Sequence, residues 1–393
     1  MSITAIISEY NPFHLGHAYQ LSEAKKTSAV IAVMSGSFTQ RGDAAILSKY
    51  DRAEIAVRCG ADLVLELPFP YSSAPAERFG GAGIEIIDRL SCVDTLTFGS
   101  ETGDVDALKR LSFRLSSEEF QNALASRLKN SRGFAYRTES ASVYEEIYAE
   151  AFPKGSNDIL ALSYLSALQK RNSPIIPQAI LRKGERYNGE GEGFASATTV
   201  RTQIKNKNLD EMKTSVPAEC AEMLRTAMEN GRLADTEKIF PLFAALVRTR
   251  GLSVFEDIYD IPSELAARLL QAAQSAPDFE TFLSAVSTKT FSHSRIRRAM
   301  LTTLLDVKTA DVSLPVYTTV LSANETGREI LSRIRKSGKI PIITKPADAA
   351  KQGEEIARAF ALAARADSIW ELLCENQRQG NAMMKEKPRI FSK

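Results

Sequence analysis

Short apolar segments alternate with amphipathic segments through the first hundred residues, and this alternation limits the fold more than any other feature. The apolar runs lie at 3–8, 29–34, 62–67 and 95–98. Between them, apolar residues recur every three or four positions, as in helices with one buried face. Strand and helix in this rhythm predict parallel βαβ units, with helices covering both faces of the sheet. The expected fold class is therefore α/β with a parallel sheet.

Strand-like runs become rare after residue 205, and residues 209–305 read as a series of amphipathic helices. Two short apolar runs and a long helix follow, at 316–321, 340–344 and 350–375. A chain of 393 residues is long enough for two domains. We expect an α/β domain over 1–204 and a mainly α-helical C-terminal region over 205–393. The basic tail, 383–393, is expected to be loosely held.

Composition argues against several classes of protein. Lys plus Arg number 50 and Asp plus Glu 48, so the net charge of +2 favours no partner by itself. No apolar run reaches the roughly 18 residues that span a bilayer, and the first residues lack the basic region of a secretory signal. The four cysteines lie far apart, unlike those of a disulfide framework or zinc finger. We expect a cytoplasmic protein with no membrane contact.

The chain has only three histidines, and two of them, His14 and His17, flank Gly16 where the first predicted strand turns into a helix. Glycine lets the backbone approach a ligand closely, and the first N–H groups of a helix attract anions. Two imidazoles in one helical turn can face the same phosphate and stabilise the charge that develops during attack on phosphorus. The pattern predicts a nucleotide triphosphate site at the carboxyl ends of the strands.

Two other interpretations of His14 and His17 stay open. The rings could simply cap and pack against the helix, which is the usual role of an isolated histidine. They could also bind a metal, because His-x-x-His spacing can supply two ligands. No third histidine or cysteine lies near them in sequence, so we expect no tightly bound protein metal.

Other polar residues follow predicted strands or open predicted helices. Arg182 and Lys183 end a strand predicted over 175–181, where they would balance phosphate charge or pair with Glu185 at the surface. Asn157 begins a strongly periodic helix, as a nucleotide contact or as a plain N-cap. The hydroxyl-rich segment 196–201 is a second candidate phosphate clamp, and it would also make an ordinary capped helix start.

Six segments, taken in order, carry a resemblance to a known family. They are EYNPFHLGH at 9–17, MSGSFTQRG at 34–42, GADLVLELP at 60–68, FGSE at 98–101, SATTVR at 196–201 and GREILSRIRK at 327–336. The set resembles the tRNA(Met) cytidine acetate ligase family of the HxGH nucleotidylyltransferase superfamily. The H-x-G-H pattern alone indicates the superfamily, and the ordered set of segments indicates the family.

The resemblance implies a Rossmann-like nucleotidylyltransferase domain and a specific ligase reaction. Members of the family use ATP to activate acetate, giving acetyl-adenylate and pyrophosphate. They then transfer the acetyl group to N4 of the wobble cytidine of elongator tRNA(Met), giving N4-acetylcytidine. ATP with Mg²⁺ is the implied cofactor, and acetate and elongator tRNA(Met) are the implied partners.

Carried over by position, the resemblance implies an ATP site made of one continuous loop and of residues that follow later strands. These residues are Ile7, Ser8, Glu9, Tyr10, Asn11, Pro12, Phe13, His14, Leu15, Gly16, His17, Ala18, Tyr19, Gln20, Gly99, Asn157 and Arg182. The sequence itself adds Lys183, Ser196 and Arg201 as candidate phosphate contacts. His14 and His17 are the predicted catalytic residues.

Lys49 is a third predicted catalytic residue. It ends a long polar loop, 35–49, and such loops carry function more often than core elements do. We predict that Lys49 contacts phosphate or acetate, with a solvated lysine as the alternative.

Basic residues concentrate between positions 289 and 345, where 11 lysines and arginines face four acidic residues. Within this stretch lie two clusters: Arg295, Arg297 and Arg298, and then Arg333, Arg335 and Lys336. Clusters of this kind are the electrostatic footprint of phosphate-backbone binding, although either one alone would fit a solvated helix face. We predict that both bind tRNA.

Two other functions explain part of the pattern. A small-molecule nucleotidylyltransferase of the same superfamily would use the histidines but leave the helical region and the basic clusters without a role. A regulator or RNA-binding adaptor that kept the fold and lost catalysis would not need both histidines. Pyrophosphate release, and its dependence on acetate and tRNA, separates the three.

Overall fold

The computed structural model describes residues 1–130, 136–183, 193–376 and 382–391, so the predicted loop residues 184–192, including Glu185, lie outside the described part. The strands are β1 (Ile3–Ser8), β2 (Ala29–Ser35), β3 (Leu63–Leu67), β4 (Thr95–Ser100), β5 (Ile176–Leu181), β6 (Thr318–Ala323), β7 (Ile342–Ile343) and β8 (Arg389–Ile390). The helices are α1 (Leu15–Lys25), α2 (Lys49–Arg58), α3 (Ala76–Arg89), α4 (Val105–Leu115), α5 (Glu118–Asn130), α6 (Tyr136–Tyr148), α7 (Ser156–Lys170), α8 (Ala197–Lys205), α9 (Leu209–Ser215), α10 (Ala218–Glu229), α11 (Ile239–Arg250), α12 (Ser263–Ser275), α13 (Phe279–Val286), α14 (His293–Leu304), α15 (Glu325–Ser337), α16 (Pro346–Ala349), α17 (Glu354–Leu372) and α18 (Ala382–Lys385).

The first five strands form a parallel sheet in the order β5-β4-β1-β2-β3. β1 pairs with β2 along its whole length, with Ile3 opposite Ala29 and Ser8 opposite Met34. Every residue of β2 is buried, as a strand covered by helices on both faces requires. The predicted α/β fold is confirmed, and the four apolar runs of the first hundred residues correspond to β1–β4.

The sheet is completed by strands from the C-terminal half of the chain. β6 runs antiparallel to β3, with Leu63 opposite Ala323, and β7 and β8 pair with β6. The predicted runs 316–321 and 340–344 therefore extend the same sheet rather than form a separate one. A boundary after residue 204 stays a prediction, and three strands from beyond it belong to this sheet.

The expectation of a loosely held tail is wrong for its described part. Arg389 of β8 forms ion pairs with Asp51 at 2.7 Å and with Glu54 at 2.6 Å, both on α2. β8 also pairs in parallel with β6. Two carboxylates and a strand edge thus hold the chain end against the sheet.

The three largest apolar cores of the described residues follow from this arrangement. One face of the sheet packs on α3, α4, α7 and α15. The other face packs on α1, α2, α8 and α10. A third, helical core joins α11–α14 to α17 and reaches the loop after β2 through Phe38, which is fully buried. The helical core therefore lies against the loops at the carboxyl ends of the strands.

Candidate active site

The histidine motif lies where β1 ends and α1 begins, at the carboxyl edge of the parallel strands. His14 is the N-cap of α1, and its Nδ1 accepts a hydrogen bond from the Gly16 N–H at 3.0 Å. His17 Nδ1 accepts from the His14 N–H at 3.2 Å. The two rings stack with centroids 3.7 Å apart. The strand–turn–helix geometry predicted for the motif is present.

These hydrogen bonds fix which nitrogen of each ring faces a ligand. A neutral imidazole has one donor and one acceptor, and Nδ1 is the acceptor in both rings. Each ring therefore carries its proton on Nε2, which is left to donate. The first N–H groups of the helix were expected to attract an anion. That expectation changes, because the N–H groups of His14 and Gly16 are already bonded to ring nitrogens. An anion would meet the Nε2–H groups rather than these two amides.

Burial and neighbouring charge keep both rings neutral. Burial, then the charges of Arg182 and Arg201, lower the pKa of His14 from 6.5 to about 4. Burial, then His14 and Arg182, hold the pKa of His17 well below its usual value. The charge of Arg182 thus acts on both histidines, and the charge of Arg201 acts on His14.

Gly16 is required at its position by the stacked ring. A Cβ there would lie 2.9 Å from His14 Cε1 and 3.0 Å from His14 Nδ1. Any side chain would push the His14 ring off the amide that it accepts from. The glycine therefore makes room for the histidine, in addition to the close ligand approach predicted from the sequence.

The loop that carries the motif is held by side chains from elsewhere in the chain. Arg201 Nη1 donates to the Asn11 carbonyl at 2.7 Å, and Asn11 Oδ1 accepts from the Ile46 N–H at 2.7 Å. Glu9 Oε1 accepts from the Gln40 N–H at 2.7 Å. Burial raises the pKa of Glu9, and the Gln40 bond opposes that rise. Arg201 therefore reaches the predicted site, where its visible contact is to the loop backbone.

Sequence reasoning missed Arg52, which is fully buried on α2. Its Nη1 donates to the Glu9 carbonyl at 2.6 Å and to the Ser35 carbonyl at 3.1 Å. It thereby ties together the carboxyl ends of β1 and β2. No local sequence pattern marks Arg52, because its carbonyl partners belong to residues distant along the chain.

Gly99 and Arg182 meet beside this loop, at the ends of β4 and β5. A Cβ on Gly99 would lie 3.4 Å from Arg182 Cγ, so the arginine side chain crosses the glycine. Lys183 Nζ lies 5.1 Å from the centre of the Tyr19 ring, and Gln20 Nε2 donates to the Thr97 carbonyl at 3.3 Å. Gly99 lies within β4 rather than after it, and it shares one rim with Arg182, Lys183 and α1.

Asn157 is not the N-cap of α7, which is Gly155. Glu101, at the end of β4, performs the capping from outside the helix. One of its oxygens accepts from the Asn157 N–H at 3.1 Å and from Asn157 Nδ2 at 2.6 Å, and the other accepts from the Asp158 N–H at 2.8 Å. Partial burial would raise the pKa of Glu101, but these bonds outweigh it and lower the pKa. Asn157 keeps its place at the carboxyl edge with its amide already engaged.

Ser196 is the N-cap of α8 and its Oγ accepts from the Thr199 N–H at 3.2 Å, which is the structural alternative considered for this segment. Phe194, just before it, lies over the Tyr19 ring with centroids 5.9 Å apart. The segment 196–201 therefore adjoins the site through Arg201 and Phe194.

Lys49 lies at the start of α2 and is buried between two carboxylates. Its Nζ lies 2.8 Å from Glu66 Oε1 and 2.7 Å from Asp367 Oδ2. Burial alone would lower the pKa of Lys49, but Asp367 and Glu66 raise it well above its usual value. The loop before it also has structural contacts, since Ser37 Oγ donates to Asp367 at 2.6 Å. The solvated lysine is excluded, and a contact with phosphate or acetate stays a prediction.

The structure separates the two basic clusters. Arg297 pairs with Asp43 at 2.8 Å, and Arg298 Nη1 donates to the Gln40 carbonyl at 3.1 Å, so both contact the loop after β2, which in turn bonds to Glu9 before the histidine motif. Arg333 instead donates to the Met1 carbonyl at 3.2 Å, at the amino edge of β1. Arg335 and Lys336 are exposed on the same helix. The sequence predicted one basic surface, and the fold places its halves at opposite edges of the sheet.

The described residues hold no group of three or more His, Cys, Asp or Glu side chains that could bind a metal ion. A search of the same residues finds no helix long and apolar enough to cross a membrane.

Known proteins resemble this chain over most of its length. A family model described as "HIGH Nucleotidyl Transferase" matches residues 1–385. A tRNA(Met) cytidine acetate ligase of Fervidobacterium nodosum is 36% identical over 359 residues, covering 88% of this chain and 84% of that relative. The protein of the same name from Caldanaerobacter subterraneus is 34% identical over 391 residues, or 96% of each chain.

Solved structures match over the whole length. Thermotoga maritima TmcAL bound with alpha-thio ATP has a TM-score of 0.92 and 29% identity, with 100% of both chains covered. The apo form of that protein has a TM-score of 0.93 and 30% identity, with the same coverage.

Proposed function

The chain belongs to the HIGH nucleotidyl transferase family and, within it, to the tRNA(Met) cytidine acetate ligases, and on that premise we propose that it uses ATP to join acetate to the wobble cytidine of elongator tRNA(Met). The product is N4-acetylcytidine. The observation that carries the proposal is the stacked His14–His17 pair, neutral, with no partner for either Nε2–H among the described residues, and within the electrostatic reach of Arg182. Such a set of donors suits a triphosphate.

The first step joins acetate to the α-phosphorus. An acetate oxygen attacks, the bond to the pyrophosphate oxygen breaks, and acetyl-adenylate and pyrophosphate result. Acetate is ionised at neutral pH, so this step needs no general base. The protein's task is to align two anions and to offset their repulsion. We assign that task to the Nε2–H donors of His14 and His17, with the charges of Arg182 and Arg201 behind them.

The second step transfers the acetyl group. The cytidine N4 attacks the acyl carbon, AMP leaves with the bonding electrons, and N4 loses a proton. A wobble base is unpaired in the anticodon loop, so it can enter a site without breaking a base pair. The cluster Arg295, Arg297 and Arg298 is the proposed contact for the RNA backbone, because Arg297 and Arg298 contact the loop after β2, which bonds to Glu9. The role of Arg333, Arg335 and Lys336 stays a prediction.

The remaining site residues belong to the same proposal. Residues 7–20 with Gly99, Asn157, Lys183 and Ser196 form the proposed ATP rim. Mg²⁺ bound to ATP would supply charge neutralisation on the triphosphate. We place the reaction in the cytoplasm.

The test is direct. The purified protein is incubated with ATP, Mg²⁺, labelled acetate and unmodified elongator tRNA(Met), and label in the RNA is located by nucleoside analysis. Label at the wobble cytidine supports the proposal. Pyrophosphate release that requires another small acceptor and ignores both acetate and tRNA would replace it with the small-molecule nucleotidylyltransferase.

A further inference from the structure

Glu9 directly follows β1 and precedes the histidine motif, at the carboxyl edge of the parallel strands. Its backbone is held by Arg52, whose Nη1 donates to the Glu9 carbonyl at 2.6 Å. Its side chain is only partly buried, and Oε1 accepts from the Gln40 N–H at 2.7 Å. Oε2 has no hydrogen-bond or ion-pair partner among the described residues. One carboxylate oxygen is therefore fixed, and the other is available to a substrate.

Three other carboxylates at this edge use both of their oxygens within the chain. Glu66 accepts from Lys49 Nζ with Oε1 at 2.8 Å and with Oε2 at 3.1 Å. Asp367 accepts from Lys49 with one oxygen and from a serine hydroxyl with the other. Glu101 caps α7 with both oxygens. Glu9 differs from these three, because only one of its oxygens serves the protein.

The surroundings of Glu9 adjust its affinity for a proton. Burial raises the pKa of Glu9, and the hydrogen bond to its Oε1 opposes that rise. The charge of Asp43 raises the pKa further, whereas the charges of Arg41 and Arg201 lower it. Tyr164 of α7, which is 3% exposed, lies within reach of the Glu9 charge. A general base works best when its pKa lies near the working pH, so a raised pKa suits a carboxylate that accepts protons.

Glu9 lies between the proposed sites for ATP and for RNA. The charge of Arg201 acts on both Glu9 and His14, so the carboxylate is near the histidine pair. Gln40, which donates to Glu9, accepts through its carbonyl from Arg298 of α14 at 3.1 Å. With ATP on one side and RNA on the other, the acyl group and the incoming cytidine would meet beside Glu9.

We propose that Glu9 Oε2 accepts the proton that cytidine N4 loses in the second step. The inference rests on the proposed function, because it needs both acetyl-adenylate and an RNA acceptor. The N4 lone pair forms the bond to the acyl carbon, and the bond from that carbon to the AMP oxygen breaks with its electrons leaving on AMP. The electrons of the N4–H bond stay on nitrogen, and the proton goes to Oε2. A carboxylate is also the side chain that accepts a hydrogen bond from the amine of cytosine.

Glu9→Gln tests the proposal by separating the two steps. The amide has the same size and its oxygen can still accept from the Gln40 N–H, but it cannot take up a proton at neutral pH. Transfer from preformed acetyl-adenylate, measured in a single turnover at saturating elongator tRNA(Met), should fall about 10²-fold. Acetate-dependent ATP–pyrophosphate exchange without tRNA should fall less than about tenfold, because acetate attacks without a general base.

The matched control is Glu101→Gln, the same change in a carboxylate at the same edge. Glu101 serves as the cap of α7, so its substitution affects the protein and not the proton transfer. Exchange and transfer should therefore fall by the same factor, to within about twofold.

The pH dependence of transfer identifies the group. In the parent protein the single-turnover rate should fall as the pH falls through the pKa of Glu9, because the protonated acid cannot accept a proton. Glu9→Asp should keep this fall at a lower overall rate, and Glu9→Gln should lose it. Asp43→Asn should move the fall to lower pH, since the charge of Asp43 raises the pKa of Glu9.

Transfer by Glu9→Gln within about twofold of the parent rate overturns the inference. An equal fall in exchange and transfer also overturns it, as does a pH dependence that survives in Glu9→Gln. Should Glu9→Gln fail to fold, an unmoved pH profile in Asp43→Asn contradicts the inference. A parent protein that neither exchanges nor acetylates would instead overturn the proposed function.

Discussion

The two edges of the parallel sheet contain similar polar residues but use them differently. At the amino edge, Asp62 is 1% exposed, accepts from the Val30 N–H at 2.8 Å and from Asn324 Nδ2 at 3.0 Å, and pairs with Lys25. At the carboxyl edge, His14 and His17 use one ring nitrogen each within the chain. One edge satisfies its own polar groups, and the other leaves donors for a ligand.

This difference separates stability from function within one sheet. Polar groups that are bonded on every side hold strands and helix ends together, and their loss should lower the free energy of unfolding. Donors that are fixed on one side and free on the other are ready for substrate, and their loss should lower activity. Substitutions at the two edges should therefore change different quantities, and the largest effect is expected at His14.

His14→Asn should lower acetate-dependent ATP–pyrophosphate exchange about 10³-fold, because one donor to the developing charge is lost. Asparagine is favoured at N-caps, so α1 should keep its start. The matched change at the amino edge is Asn324→Ala, which removes the N-cap of α15. It should cost about 1 kcal/mol of stability and leave exchange per folded molecule unchanged. If His14→Asn exchanged at nearly the parent rate, the carboxyl edge would not differ from the amino edge in its role in activity.

Lys49 lies at the carboxyl edge, but its charge is already paired within the chain. It therefore tests whether a polar group at this edge can serve stability instead of function. Lys49→Met would leave Glu66 and Asp367 buried without their cation, at a cost of about 3 kcal/mol in unfolding free energy. Urea unfolding gives that value, and exchange is then normalised to folded protein. If the normalised rate falls with stability unchanged, Lys49 contacts phosphate or acetate, as the sequence predicted.

Lys49 also marks where sequence reasoning reached its limit. The parallel strands, the histidine motif and the rim residues Gly99 and Arg182 could be predicted, because each follows from local periodicity or from strand ends. The pairing of Lys49 with Asp367 could not be predicted, since Asp367 lies far along the chain. The same holds for β6, whose position beside β3 depends on tertiary pairing. Glu101 could not be predicted as a cap, because it follows β4 and lies far along the chain from α7.

Acidification should weaken the carboxyl edge selectively. The pKa of His14 is about 4 in the folded protein against 6.5 for the free side chain. Between pH 4 and pH 6.5 the unfolded chain binds a proton at this histidine and the folded chain does not. The free energy of unfolding is therefore at its full value above pH 6.5 and falls as the pH falls. At pH 5 the loss is about 2 kcal/mol. Urea unfolding of His14→Asn at pH 7 and pH 5 should show a smaller difference than the parent protein. Equal differences in the two proteins would mean that His14 is not held neutral.

Substitutions in the two basic clusters should give the smallest effect, because ion pairs already neutralise part of their charge. Arg295 and Arg297 pair with Asp260 at 2.9 Å and Asp43 at 2.8 Å, and Asp43 belongs to the loop after β2 at the carboxyl edge. Replacing both with glutamine should weaken tRNA binding about tenfold and reduce its salt dependence. Replacing Arg335 and Lys336 with glutamine removes the same charge from α15 and should change affinity less than about twofold. Filter binding over a salt series compares the two. An equal loss would mean that the RNA reaches both edges of the sheet, and the amino edge would then have a role in binding as well as in stability.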